Sequence, residues 1–60
     1  MKLDYYRDTD SLYIHLSEKQ GADVMEISEH VVVDVDKTGV PVGIDIDANA
    51  SKIVDLSARP

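Results

Sequence analysis

Apolar and polar positions alternate with a period of two through most of this chain. Ser11 to Ser17 is the cleanest stretch: Leu12, Ile14 and Leu16 fall on one side, and Ser11, Tyr13, His15 and Ser17 on the other. That period marks a half-buried strand. Lys2 to Tyr6 reads as a shorter first strand, and the turn Arg7-Asp8-Thr9-Asp10 joins the two. Asp side chains there can bond nearby backbone amides. Glu18 to Asp23 is polar, contains Gly21 and reads as a loop, and Val24 to Ile27 is a third short strand.

Val31 to Ile46, VVVDVDKTGVPVGIDI, is a β-hairpin: two β-branched runs flank the turn Asp36-Lys37-Thr38-Gly39. Asp first and Gly fourth favour a type I turn, often with a bulge at the Gly. Two registers compete. One sets Val35 opposite Val40, Val33 opposite Val42 and Val31 opposite Ile44, with Asp34, Asp36 and Asp45 all on the far face. The other, with a bulge at Gly39, sets Asp36 opposite Val40 and Asp34 opposite Val42. A one-residue slip exchanges the faces, and the first register is favoured because it keeps every carboxylate out of the core. Pro41 cannot donate a ladder hydrogen bond and suits an edge or a bulge. After Ile46 the pattern changes. Asn49 is placed to cap a short helix over residues 50–57, with Ile53 and Leu56 toward the sheet, Val54 at its margin, and Arg59-Pro60 as a frayed end. The expected fold is α+β: a single domain over residues 1–60, with four or five antiparallel strands in a meander and one short C-terminal helix.

Size and charge narrow the function. A chain of 60 residues buries only about 60% of its unfolded surface. With no cysteine there are neither disulfides nor thiolate metal ligands to add stability, and with no Phe or Trp the core is aliphatic. Self-association is therefore expected. Twelve acids against six scattered bases give a net charge of −6. That balance repels phosphate, so the chain is not expected to bind nucleic acid by itself, and it steers basic protein partners inward. No apolar run is long enough to span a bilayer, and MKLDYY lacks the apolar core of a signal peptide. A cytoplasmic location without membrane association is expected.

The carboxylates Asp34, Asp36, Asp45 and Asp47 are either a divalent-ion site or a solvated face that discourages aggregation. Asp-x-Asp-x-x-Gly has the start of a calcium loop, but Val40 and Val42 occupy later ligand positions, so a solvated face is favoured. Tyr5, Tyr6 and Tyr13 suit an interface or edge packing equally. His15 near Ser11 or Ser17 lacks a nucleophile elbow, and it and His30 read as solvated histidines. Gly21, Gly39 and Gly43 are too dispersed for a phosphate loop. Gly43 reads instead as a place where backbone or a ring comes close. No catalytic, cofactor or metal residue is assigned, and an enzyme is not the favoured reading. Tyr13, His15, Asp34, Asp36 and Asp45 are the interaction-surface candidates.

Taken together, Asp8-Thr9-Asp10-Ser11-Leu12-Tyr13-Ile14, then Val32-Val33-Asp34-Val35-Asp36 and Gly39, then Val42-Gly43-Ile44-Asp45-Ile46 and Ala50-Ser51 resemble the Domain of Unknown Function 2283 family of small prokaryotic proteins. The resemblance runs from about Leu3 to Lys52. It departs at Asp45, where the family commonly has Glu, and at Asp47, where it commonly has an apolar residue. The resemblance implies a compact sheet with a C-terminal helix and no agreed catalytic site. Some members look like antitoxins encoded beside small RNA-cleaving toxins. The leading expectation is thus a small acidic interaction domain, an antitoxin-like inhibitor of a basic partner. The alternative is a small ligand- or metal-binding homodimer.

Overall fold

In the computed structural model, which describes residues 1–54, the chain forms five strands and one short helix. They are β1 (Lys2–Tyr6), β2 (Ser11–His15), β3 (Asp23–Ser28), β4 (Val31–Val35), β5 (Pro41–Ile46) and α1 (Ala50–Ile53). All pair antiparallel in one sheet of order β1-β2-β5-β4-β3. The expected meander is present in two pieces, β1-β2 and β3-β4-β5. The 16–22 connection carries the chain past the place where a third consecutive strand would have paired, and β5 returns to fill it. β5, which holds more buried residues than any other strand, thereby becomes the central one.

The hairpin register departs from both expectations. Asp36 N–H donates to the Val40 carbonyl at 2.9 Å, so the turn opens as the bulged alternative. Gly39, at φ 88°, supplies the left-handed residue that this turn requires. Val35 then faces Pro41, the register shifts again, and Asp34 faces Gly43, Val33 faces Ile44 and Val31 faces Ile46. The first shift alone would have turned carboxylates inward. The second, at Val42, restores the parity of the faces, so Val31, Val33, Ile44 and Ile46 still share one side and Asp34 and Asp45 the other. The favoured pairing was wrong residue by residue, yet away from the turn its faces were right, because the favoured and observed registers differ there by an even step. At the turn they were not, since Asp36, expected on the solvated face, is buried and Val40, expected on the apolar face, is exposed. Pro41 sits where the ladder is interrupted, which is how a central strand accommodates a residue with no N–H.

The buried core lies on the apolar face around Leu12, Ile46 and Ala50, with Ile14, Val31, Ile44 and Val54 packed against it. The helix departs from its expected form. Asn49 occupies the cap position in a left-handed conformation, φ 61°, and its side chain caps nothing. Asp10 does that work from the β1–β2 turn. Its carboxylate accepts from Ser51 N–H at 3.1 Å and Ser51 Oγ at 2.7 Å, while its carbonyl accepts from Ala50 N–H at 2.8 Å. Ala50 is fully buried, whereas Ile53, expected to face the sheet, is 48% exposed. The remainder of the expected helix, with Leu56, and the chain end at Arg59-Pro60 lie outside the described residues. No helix among the described residues is long and apolar enough to cross a membrane.

Candidate functional site: a polar sheet face built on Gly43

The face opposite the core follows from strand alternation. β1 and β2 pair Lys2 with His15, Asp4 with Tyr13 and Tyr6 with Ser11. β2 and β5 pair Tyr13 with Asp45 and His15 with Gly43. β4 sets Asp34 against Gly43 and Val32 against Asp45. Since directly opposed residues share a face, Asp4, Tyr13, His15, Asp34 and Asp45 stand on one surface. Glu26 joins them from β3, opposite Val32.

Gly43 organises this surface. Tyr13 leans across β5, and its hydroxyl donates to Asp34 Oδ2 at 2.5 Å. Its ring covers the Gly43 backbone: a Cβ there would lie 2.7 Å from Tyr13 Cζ and collide with the hydroxyl oxygen. Only glycine leaves that space, so the close ring approach expected at this position is met. The Asp34 bond, together with burial and the charges of Asp34 and Asp45, pushes the Tyr13 phenol up to about 12. His15 meets the Tyr13 ring edge-on, with centroids 4.6 Å apart, and its Nε2 contacts Asp4 Oδ2 at 2.8 Å. Asp4, Tyr6, Tyr13, His15 and Asp45 line a shallow depression between β1 and β5.

Asp45 differs from its neighbours. Desolvation against the sheet, followed by the negative charges of Asp47 and Asp34, raises the pKa of this solvent-exposed carboxylate above the ordinary value. No Lys, Arg or His lies within ion-pair distance of it among the described residues. The face therefore carries an excess of negative charge that Lys2 and the His15–Asp4 contact offset only in part. Lys2, on this same face opposite His15, is the single Lys or Arg in the strands of the described residues.

The five candidate residues do not all converge. Tyr13, His15, Asp34 and Asp45 share the face. Asp36 does not: it is folded into its own turn, where Oδ1 accepts from Thr38 N–H at 2.8 Å, Thr38 Oγ1 at 2.6 Å and Val40 N–H at 3.0 Å. Those bonds, led by the Thr38 hydroxyl, hold its carboxyl below the usual range. Asp36 is thus a turn residue. Asp47 is also set apart, accepting from Ser11 Oγ at 3.3 Å at the end of β5. Tyr5 lies on the opposite face and donates to Asp10 at 2.7 Å. Asp4 was not singled out from the sequence. Closing the β1–β2 hairpin over Arg7-Asp8-Thr9-Asp10 would have placed it beside Tyr13.

Ser11 Oγ is engaged by Thr9, Asp47 and the Ala48 N–H, and Ser17 Oγ accepts from Lys19 N–H. Neither hydroxyl is bonded to His15. Among the described residues no group of three or more His, Asp or Glu is arranged to hold a metal ion.

No curated protein and no solved structure matches this chain. The family model described as "Protein of unknown function (DUF2283)" matches residues 2–49, stopping one residue short of the Ala50-Ser51 pair included in the resemblance. The matched segment contains all five strands and every residue of the polar face. The chain belongs to the DUF2283 family.

Proposed function

We propose that this chain is a protein-interaction domain whose polar sheet face, centred on Tyr13, His15, Asp34 and Asp45, binds a cationic surface of a partner protein. The observation that carries this reading is the unneutralised carboxylate Asp45 beside a ring that Gly43 and Asp34 hold in place. A carboxylate crowded by two others gains when a cation arrives. A tyrosine held by packing and a hydrogen bond contributes contact area at little entropic cost. The flatness of the depression suits a protein surface better than a small molecule, which favours a deep, enclosed pocket.

The partner class we propose is a small basic RNA-cleaving protein. Such an enzyme displays cations for phosphate, and an acidic sheet face competes for the same groove by charge and shape. Antitoxin-like inhibition would be the outcome. Charge supports this reading, together with the family resemblance.

The test is binding of the neighbouring gene's product to the wild-type chain and to Asp45→Asn, by calorimetry at rising salt. The proposal expects affinity to fall on the order of 10-fold in the variant, as for the loss of one interfacial charge contact, and to weaken steeply with salt in the wild type. Equal affinity for both proteins, or no binding to the wild type, would sink it.

A further inference from the structure

The face opposite the polar one is apolar and largely open. Strand pairing sets Leu3 beside Ile14, Ile14 beside Ile44, Ile44 beside Val33, and Val33 beside Met25, a continuous aliphatic row across all five strands. Helix α1 covers the other end, over Leu12 and Ile46. Away from it, Leu3 is 55% exposed, Met25 54% and Ile27 61%. Ile27 adjoins the β3 bulge opposite Val31, so it extends the row toward the β3 edge.

We infer that this row is the interface of a symmetric homodimer in which two sheets stack apolar face to apolar face. Charge selects the occupant. The strand carboxylates Asp4, Glu26, Asp34 and Asp45 all stand on the opposite face, and among strand residues only Asp23, at the β3 end opposite Val35, is charged on the apolar side. Two copies of an acidic chain can therefore meet here without bringing carboxylates together, whereas a basic partner finds nothing to pair with. Stability points the same way. Five buried hydrophobic residues among those described, Leu12, Val35, Val42, Ile46 and Ala50, are a thin core for a 60-residue chain without disulfides. The missing burial is needed whenever the chain is folded, and a second copy is the partner always present. Face-to-face stacking at about 10 Å is the ordinary packing of two such sheets, and it leaves both acidic faces pointing outward.

Sedimentation equilibrium of the full chain, with two substitutions on the same edge strand, tests this. Met25 points to the apolar face and Val24, 60% exposed, to the polar one. Wild type and Val24→Lys are expected to sediment as dimers. Met25→Lys is expected to weaken association on the order of 100-fold, because two-fold symmetry buries the new charge twice. A folded wild-type monomer would overturn the inference. So would equal dissociation by both variants, which indicates pairing through the β3 edge, or equal retention of the dimer by both. Should Met25→Lys unfold, a soluble paramagnetic relaxation agent applied to the wild type decides the matter. The methyls of Leu3, Ile14 and Ile44 are expected to be shielded, and full relaxation of them rules the stacked dimer out.

Discussion

At the residue scale, Gly43 and Tyr13 form one unit. The glycine makes room for the ring, and the ring delivers its hydroxyl to Asp34. Gly43→Ala should cost about 1–3 kcal/mol, the range for forcing atoms into occupied space, and should free the phenol to ionise nearer its ordinary value. Alkaline titration of phenolate absorbance in a chain lacking Tyr5 and Tyr6 checks this directly. In the parent, Tyr13 should ionise at about 12. Because the folded-state pKa lies above the unfolded one, this contribution to stability is complete below about pH 10 and is lost as pH climbs toward the folded value. The role of Gly43 was legible in the sequence, since glycine inside a strand pattern marks close approach. The identity of the approaching ring was not, because Tyr13 and Asp34 lie 21 residues apart and meet only across β5.

At the element scale, the hairpin turn shows how local chemistry can override a burial preference without harming the core. Asp36 binds Thr38 and Val40 so well that the turn takes its bulged form, and a second irregularity at Val42 returns the aliphatics to their face. Asp36→Ala should lower the melting temperature by several degrees at neutral pH. Its folded pKa is depressed, so its stabilisation is present above the ordinary carboxylate range and disappears as pH falls through the folded value. Thermal melts of the two proteins should therefore converge in acid; a gap that persisted at low pH would show that the turn does not depend on the carboxylate charge. Strand positions were readable from alternation alone. The compensating shifts were not, because a two-residue register change leaves the hydrophobic pattern unaltered. The helix cap was missed for a related reason: Asp10 reaches Ser51 across 41 residues of chain, while Asn49 was merely adjacent.

At the scale of the whole molecule, the sheet separates two surfaces by sign and polarity. One is acidic and carries a fixed aromatic; the other is aliphatic and short of cover. That division was foreshadowed by the period-two pattern, although the strand order that makes β5 central, and so gathers Asp34, Asp45 and Tyr13, was not. It also sets a trade-off at Asp45. Its raised pKa means that the ionised form weakens the folded state, a penalty present at neutral pH and relieved as pH falls toward the unfolded carboxylate value. Asp45→Asn should therefore melt higher than wild type at neutral pH and lose that advantage below about pH 4, even as it binds a basic partner less well. A variant that gained affinity along with stability would show that the charge serves no recognition.

The central claim, that the polar face is the surface of recognition, is tested most directly by amide shift mapping of the labelled chain as the product of the neighbouring gene is titrated in. The account predicts that the largest changes fall on Asp4, Tyr13, His15, Asp34, Gly43 and Asp45. Changes centred instead on Leu3, Ile14, Met25 and Ile44, or no changes at all, would contradict it.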